Sequence, residues 1–203
     1  MAPKQLQPAH FILASASPRR QALLRRLGVE FTVQVASVVE SECTLRGPEW
    51  MVAHNASLKA DAVALYAKDA MVLGSDTTVA ISGQVLGKPR DLSEARQMLE
   101  LLSGNAHTVY TAVSLRLQQS GYTHDFVETS EVHFKHLDSA TIKEYHLRVD
   151  PLDKAGAYGI QAEREMIIDT VVGSVENVMG LPIQALAEIF KELGVESKLS
   201  KSD

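Results

Sequence analysis

The stretch HFILASASPRRQALLRRLG, residues 10–28, decides the fold class, because it joins a strand to a helix through a short polar turn. Its first five residues, 10–14, are an apolar run that predicts a buried strand. The helix signals follow in the right order, with Ser17 as N-cap, Pro18 at the first helical position and Gly28 after the last turn. We therefore expect a buried strand that passes directly into an amphipathic helix.

The rest of the chain repeats this alternation of strand and helix signals. Apolar and alternating runs predict strands at residues 30–35, 71–73, 77–81, 85–86, 109–118 and 122–134, with a further apolar segment at 166–172. Helical periodicity and capping signals predict helices at residues 48–67, 92–102, 139–147 and 182–193. This order predicts an α/β fold with a mixed, twisted β-sheet and flanking helices. If the fold has two lobes, the long hairpin about Ser120-Gly121 and a glycine-rich loop at 153–159 would bridge them.

The composition is that of an ordinary globular chain, and it excludes several classes of protein. Of the 203 residues, 45% are apolar. The net charge of −5 disfavours binding to a nucleic-acid polymer, although local basic clusters could still bind small anions. The single cysteine cannot form an internal disulfide or a CxxC zinc site. Residues 1–9 predict a flexible leader rather than a signal peptide, and no apolar run approaches the roughly 20 residues of a membrane span. We expect one cytoplasmic domain at 10–194 with a polar tail at 195–203.

Ser15, Arg19 and Arg20 form the first candidate site, at the point where the strand passes into the helix. Backbone N–H groups at a helix N-terminus favour an anion, and the forked donors of arginine suit phosphate. The alternative is an ordinary helix cap with two solvated arginines. Basic residues are unfavourable in a first turn, which argues for a functional role, and both interpretations stay open.

Asp76, Lys88 and Lys59 are further candidates, each with an ordinary alternative. Asp76 lies at the predicted end of an apolar strand, where a carboxylate is a common metal ligand or general base, although an Asx turn would also explain it. Lys88 is directed by Pro89, and a solvated loop lysine is the default interpretation. Lys59 interrupts the apolar stripe of its helix, and spacing alone favours an ammonium that snorkels to water over one that meets an anion in a cleft.

Together these side chains suit the chemistry of a polyphosphate. Glu40, Asp76 and a divalent cation would hold and polarise it, while a carboxylate would orient an attacking water. Magnesium suits such a site because it prefers a few carboxylates together with phosphate oxygens and water. The basic side chains that would neutralise the phosphates are Arg19, Arg20, Lys59 and Lys88. Signatures of competing chemistries are missing, since the chain has no Walker A loop, GxSxG elbow, HExxH motif or DxD pair.

At these same residues the chain resembles the Maf family of nucleotide pyrophosphatases, also called septum-formation-protein homologues. The resemblance extends from about Phe11 to Leu193 and rests on several motifs in a fixed order, which together are far more specific than any one of them. The motifs are LASASPRRQALLRRLGV (13–29), LGSDTTVAISGQVLGKPRD (73–91), LSGNAHTVYTAV (102–113), PLDKAGAYGIQ (151–161) and GSVENVMGLP (173–182).

The resemblance implies a fold related to inosine-triphosphate pyrophosphatases, with two lobes around a cleft, and a homodimer. It also implies hydrolysis of nucleoside triphosphates between the α- and β-phosphates, with Mg²⁺ or another divalent cation such as Mn²⁺. The family's general base falls on Asp76 and its second acidic residue on Glu40, and both are expected metal ligands. The other residues carried over are Lys59 and Lys88 as catalytic groups and Ser15, Arg19 and Arg20 as substrate-binding groups.

The expected base preference rests on three residues, Arg19, Thr77 and Gln161. They resemble the subgroup of the family that prefers dTTP and UTP rather than the one that acts on N7-methyl-GTP. Gln161 offers a donor and an acceptor to a uracil-type edge, and Thr77 offers a hydroxyl or a methyl group. The chain departs from the family pattern at Gly87, where a glutamate is frequent, and at 162–165, where a glycine pair is usual. The first departure bears on metal binding and the second on the nucleobase rim.

Two other functions stay open. A pyrophosphatase for modified or non-standard nucleotides is allowed by the fold relationship. A non-catalytic nucleotide-binding regulator of cell division is disfavoured by the combination of carboxylates and lysines, because a pure binder has no need of an activated water.

Overall fold

The computed structural model describes residues 8–197, so most of the predicted leader at 1–9 and of the predicted tail at 195–203 lies outside it. The strands are β1 (His10–Leu13), β2 (Phe31–Val33), β3 (Ala70–Ile81), β4 (Gln84–Leu86), β5 (Ala106–Leu117), β6 (Tyr122–Phe134) and β7 (Ile168–Val172). The α-helices are α1 (Pro18–Arg26), α2 (Pro48–Ala64), α3 (Leu92–Leu102), α4 (Ser139–Arg148), α5 (Arg164–Ile167), α6 (Val175–Met179) and α7 (Ile183–Glu192). In this part of the chain, none of the helices has both the length and the apolar character needed to cross a bilayer.

The seven strands form one mixed sheet in the order β2-β1-β3-β5-β6-β7, with β4 paired to β3 outside this path. Strand β1 runs parallel to both β2 and β3, and the other pairs are antiparallel. One edge of β3 is shared, because β1 pairs with residues 70–73 and β4 pairs with residues 79–81. The other edge pairs with β5 along residues 72–80. Strands β1 and β4 therefore separate along this edge, and residues 74–78 of β3 lie between the two pairings.

The core is divided between two lobes that the long strands β3, β5 and β6 join. In the first lobe, helices α1 and α7 pack on one face of the sheet and α2 packs on the other. In the second lobe, α3, α4 and β7 enclose a separate cluster that includes the fully buried Leu99, Leu102 and Ile142. The prediction of an α/β fold with a mixed sheet and flanking helices is confirmed, and the cleft lies where the two clusters separate.

Three local features differ from the sequence predictions. Strand β3 is continuous through residues 74–76, so Asp76 lies inside a strand and not at its end, because pairing with β5 satisfies the backbone there. Helix α2 ends at Ala64 instead of residue 67, since the N–H groups of Tyr66 and Ala67 donate to carbonyls three residues back, as in a tightened last turn. Helices α5 and α6 were not predicted.

Gly74 lets α2 approach β3 closely. A Cβ atom at this position would lie 2.3 Å from the carbonyl oxygen of Ala56 and 2.8 Å from the backbone nitrogen of Ala60. We expect Gly74→Ala to lower the free energy of unfolding by about 3 kcal/mol, because the backbone of α2 must move away from the sheet. Chemical denaturation measures the effect, with Gly87→Ala as control because a Cβ there meets no atom within 4 Å. Equal stability of the two variants would contradict this account of the packing.

Candidate active site

A cleft of about 1090 Å³ lies between the two lobes. It brings together every site residue predicted from the sequence, although these residues lie far apart along the chain. They are Ser15, Arg19, Arg20, Glu40, Lys59, Asp76, Thr77, Lys88 and Gln161. Six basic and five acidic side chains line the cleft, whereas the chain as a whole has a net charge of −5. The cleft is therefore more basic than the rest of the protein, as a site for a polyanion requires.

The alternation of strand β3 distributes its side chains between two groups in the cleft. Met71 and Leu73 face the core under α1 and α7, whereas Ala70 and Val72 face α2. Because side chains alternate along a continuous strand, residue 76 belongs to the α2 face and residues 75 and 77 belong to the opposite face. The strand thus delivers a carboxylate to one group of polar residues and a hydroxyl pair to another.

On the α2 face, one lysine joins two carboxylates. The Lys59 Nζ atom lies 2.7 Å from Glu40 Oε2 and 2.8 Å from Asp76 Oδ1. Lys59 and Asp76 are buried, whereas about half of the Glu40 side chain is exposed. The interpretation of Lys59 as a snorkelling lysine, which spacing alone favoured, is wrong, because the side chain ends among carboxylates inside the cleft.

Asn55 completes this group and was not identified from the sequence. Its Nδ2 donates to Asp76 Oδ2 at 3.2 Å and to the carbonyl oxygen of Ser41 at 3.1 Å, while its Oδ1 accepts from the Ser41 N–H at 2.7 Å. It therefore fixes the second oxygen of Asp76 and anchors the segment that carries Glu40. Its position four residues before Lys59, on the same helical face, is the sequence signal that could have found it.

The two carboxylates of this group fit a magnesium ion. Both converge on the single Lys59 ammonium, and Glu40 keeps half of its surface open to the cleft. Within residues 8–197, no group of three or more histidine, cysteine, aspartate or glutamate side chains forms a ligand set. Magnesium commonly binds through one or two carboxylates and takes its remaining ligands from phosphate oxygens and water. An ion held here would therefore bind together with a phosphate-bearing ligand.

On the opposite face, Arg20 is held in one orientation by three acceptors. Its Nε donates to the carbonyl oxygen of Gly180 at 2.9 Å, its Nη1 to Ser15 Oγ at 3.2 Å and its Nη2 to Thr77 Oγ1 at 3.0 Å. Burial lowers the pKa of the Arg20 guanidinium, and the nearby charges of Asp76 and Glu40 partly oppose that shift. A guanidinium stays protonated in proteins, so Arg20 presents a fixed positive charge to the cleft.

The predicted cap of α1 is confirmed, and both of its arginines have partners within the fold. Ser17 is the N-cap and its hydroxyl accepts from the Arg20 N–H at 3.4 Å. Arg19 reaches across the cleft, where its Nη1 donates to Asp153 Oδ2 at 2.9 Å. Asp153 belongs to the glycine-rich loop and also pairs with Lys154. This ion pair links the two lobes, and Asp153, although it lies in the motif at 151–161, was not identified from the sequence as a site residue.

The second-lobe wall of the cleft combines apolar residues with charged ones, and Lys88 and Gln161 are exposed along it. The residues of its core that line the cleft include Val79, Leu86, Met98, Val109 and Ile160. The first-lobe wall therefore offers charges and hydroxyls, and the second-lobe wall adds apolar surface beside its own charges. This combination suits a ligand with an anionic part and a flat, weakly polar part.

Buried hydrogen bonds hold the glycine-rich loop in place behind this wall. Tyr158 and His107 meet through Oη and Nε2 at 2.8 Å, and Tyr145 Oη accepts from the Gly159 N–H at 3.0 Å. Burial lowers the pKa of His107 to about 4, so its imidazole is neutral at physiological pH. The segment that leads to Gln161 is thus supported from inside the second lobe.

Comparison with known proteins identifies the family to which the chain is similar. A family model described as Maf-like protein matches residues 10–193. A dTTP/UTP pyrophosphatase of Pelotomaculum thermopropionicum is 42% identical over 90% of this chain and 96% of its own length. A dTTP/UTP pyrophosphatase of Moorella thermoacetica is 43% identical over 91% of this chain and 95% of its own length.

Among solved structures, a HAM1 protein from Coxiella burnetii shares the fold. It has a TM-score of 0.51 at 16% sequence identity, over 90% of this chain and 98% of the other. On the family match, and on two relatives above 40% identity along nearly their whole length, the chain belongs to the Maf family.

Proposed function

We propose that this protein hydrolyses nucleoside triphosphates, with dTTP and UTP preferred, to the nucleoside monophosphate and pyrophosphate. The observation that carries the proposal is the meeting of Glu40 and Asp76 at Lys59, in the same cleft as the fixed guanidinium of Arg20. The relatives named dTTP/UTP pyrophosphatase support both the reaction and the substrates.

The triphosphate binds along the first-lobe wall, which carries Ser15, Arg20 and Lys59. Arg20 offers its remaining N–H donors to a phosphate oxygen, and Ser15, at the N-terminal end of α1, offers its hydroxyl. Arg19 and Lys88 approach from the two sides of the cleft and neutralise the charge of the chain of phosphates. Lys59 stabilises the negative charge that develops at the reacting phosphoryl group.

Asp76 is the catalytic carboxylate of the proposal. Lys59 and Asn55 hold its two oxygens in a fixed orientation, so that it accepts a proton from the attacking water without reorganising. Glu40 and Asp76 are the residues that would hold Mg²⁺ or Mn²⁺, and the ion would supply charge neutralisation and polarisation of the phosphates. The base rests on the apolar residues of the second-lobe wall, where Gln161 pairs with the polar edge of a pyrimidine.

A substrate panel tests this proposal. The protein is incubated with canonical, N7-methylated and deaminated nucleoside triphosphates, with Mg²⁺ and again with a chelator, and pyrophosphate is measured. We expect turnover of dTTP and UTP well above the others, and none with the chelator. A preference for N7-methyl-GTP or for deaminated purines would contradict the base assignment. Nucleotide binding without any turnover would instead favour the regulator.

Removal of the Asp153 carboxylate tests the role of Arg19. Because that carboxylate is paired with the Arg19 guanidinium, an incoming triphosphate has to displace the carboxylate in order to bind Arg19. We expect Asp153→Asn to lower the KM for dTTP by about threefold with kcat little changed, since exposed ion pairs contribute up to about 1 kcal/mol. Glu144→Gln, which removes an exposed partner of Arg148 on α4, is the matched control. A raised KM in Asp153→Asn would show that Asp153 supports binding.

The cytoplasmic location and the homodimer that the family resemblance implies belong to the same proposal. Sedimentation analysis of the purified protein tests the dimer, for which we expect about twice the 22.1 kDa mass of one chain.

A further inference from the structure

A row of hydrogen bonds with a fixed direction runs behind Arg20. Thr111 Oγ1 donates its one proton to the carbonyl oxygen of Asn177 at 2.9 Å. The hydroxyls of Thr77 and Thr111 lie 3.0 Å apart, so Thr77 must donate to Thr111. The proton of Thr77 is thereby used, and its oxygen accepts from Arg20 Nη2 at 3.0 Å. The row therefore runs in one direction, from the guanidinium to a backbone carbonyl.

The end of this row is rigid. Thr111 lies opposite Thr77 in the register of β3 and β5, and its side chain is fully buried. Asn177 is also fully buried, and its Nδ2 donates to the carbonyl oxygen of Val109 at 3.2 Å and to Ser130 Oγ at 2.9 Å. The carbonyl that ends the row is thus fixed to the sheet.

Gly180 supplies the second fixed acceptor. Its carbonyl oxygen accepts from Arg20 Nε at 2.9 Å and from Ser75 Oγ at 3.2 Å. Gly180 follows α6 with φ at +106°, a conformation that L-residues with a side chain rarely adopt. The run GSVENVMGLP (173–182), to which the proposed reaction gives no role, therefore provides the carbonyls of both residue 177 and residue 180.

We propose that Thr77, Thr111 and the end of helix α6 are positioning elements that aim the Arg20 guanidinium at the phosphates. Among the bonds formed within residues 8–197, these elements accept from two of its five N–H donors, and Ser15 accepts from a third. The remaining two are left for the ligand in a fixed plane. This assignment rests on the proposed function, and it gives Thr77 a role different from base recognition, because its hydroxyl proton is not available to a nucleobase.

The two roles of Thr77 predict different results. If its hydroxyl positions Arg20, Thr77→Val slows the hydrolysis of every nucleoside triphosphate by the same factor. If Thr77 contacts the base, the same variant changes the ratio of dTTP to purine triphosphate turnover. We expect a uniform loss of about tenfold to a hundredfold in kcat/KM, the effect of one hydrogen bond to a charged group. A changed substrate ratio would overturn the assignment.

A double-mutant cycle tests Thr111, which lies behind Thr77 in the row. We expect Thr111→Val to lose about tenfold or more in kcat/KM and Thr111→Ser, which keeps the hydroxyl, to recover most of that loss. In an Arg20→Ala background, adding Thr111→Val is expected to change the activity by less than about threefold, because Thr111 acts through Arg20. Thr129→Val, an exposed position on β6, is the control. Losses that multiply in the double variant would overturn the proposal.

Binding of inorganic pyrophosphate separates this inference from the proposed reaction. Calorimetry with pyrophosphate and Mg²⁺ on the same four proteins of the cycle requires no turnover. We expect Thr111→Val to weaken pyrophosphate binding when Arg20 is present. In the Arg20→Ala background, we expect Thr111→Val to have no further effect on the affinity. If the wild-type protein cleaves no nucleoside triphosphate, the proposed function fails while this cycle still tests the positioning. Equal pyrophosphate affinity of Thr111→Val and wild type would overturn the inference by itself.

Discussion

Asp76→Asn is expected to lower kcat for dTTP by about a thousandfold or more while the protein stays folded. Asparagine has the size of aspartate and keeps one acceptor oxygen for the Lys59 ammonium, so the packing against α2 is retained. It cannot accept a proton from water, and it is a poor ligand for a divalent cation. The substitution thus removes the chemistry of the proposed site and leaves its shape.

The measurement is the steady-state rate of pyrophosphate release, with circular dichroism to show that the fold is kept. Asp169→Asn, an exposed aspartate on β7 outside the cleft, is the matched control and is expected to retain full activity. An Asp76→Asn variant within tenfold of the wild-type rate would place the catalytic carboxylate elsewhere.

Lys59→Met is expected to produce the second-largest effect, and on two properties at once. The Lys59 ammonium pairs with both the buried Asp76 and Glu40. Replacement by methionine therefore leaves the buried Asp76 carboxylate without its cation. Removal of one partner of a buried ion pair costs about 3 kcal/mol or more in the free energy of unfolding. The rate is expected to fall by about a hundredfold or more, because the positive charge near the reacting phosphoryl group is lost.

Denaturation curves and initial rates, measured at a temperature at which the variant is folded, separate the two effects. Lys143→Met, on the exposed surface of α4, is the matched control for the loss of a lysine charge. If Lys59→Met kept wild-type activity, the ammonium would serve only to neutralise the two carboxylates in the free protein.

Much of the fold could be predicted from local signals, because capping and turn chemistry act over a few residues. Ser17 caps α1 as its position predicted, and Asp91 caps α3 in the same way; each side chain accepts from the N–H three residues ahead. The hairpin turn at Ser82-Gly83 also has the positive φ angles that its sequence indicates. The polar run at 74–76 misled the prediction, because cross-strand pairing with β5 outweighs the weak strand propensity of those residues.

The supporting residues of the site could not be predicted in the same way. Asn55 and Asp76 are 21 residues apart, and Arg20 and Gly180 are 160 residues apart. The spacing of Asn55 to Lys59 places both on one helical face, but no local pattern records the contacts themselves, since these depend on which faces of the sheet the helices cover. The residues with strong chemical character were found from motif and charge, whereas Thr111, whose part depends on hydrogen-bond direction, required the structure.

The most direct test of the proposed reaction is the identity of its products. Wild-type protein is incubated with dTTP and Mg²⁺, and the phosphorus signals are followed by ³¹P NMR. We expect equal amounts of dTMP and pyrophosphate, with no dTDP at any time and no orthophosphate. Release of orthophosphate together with dTDP would contradict cleavage between the α- and β-phosphates, and with it the function proposed for this site.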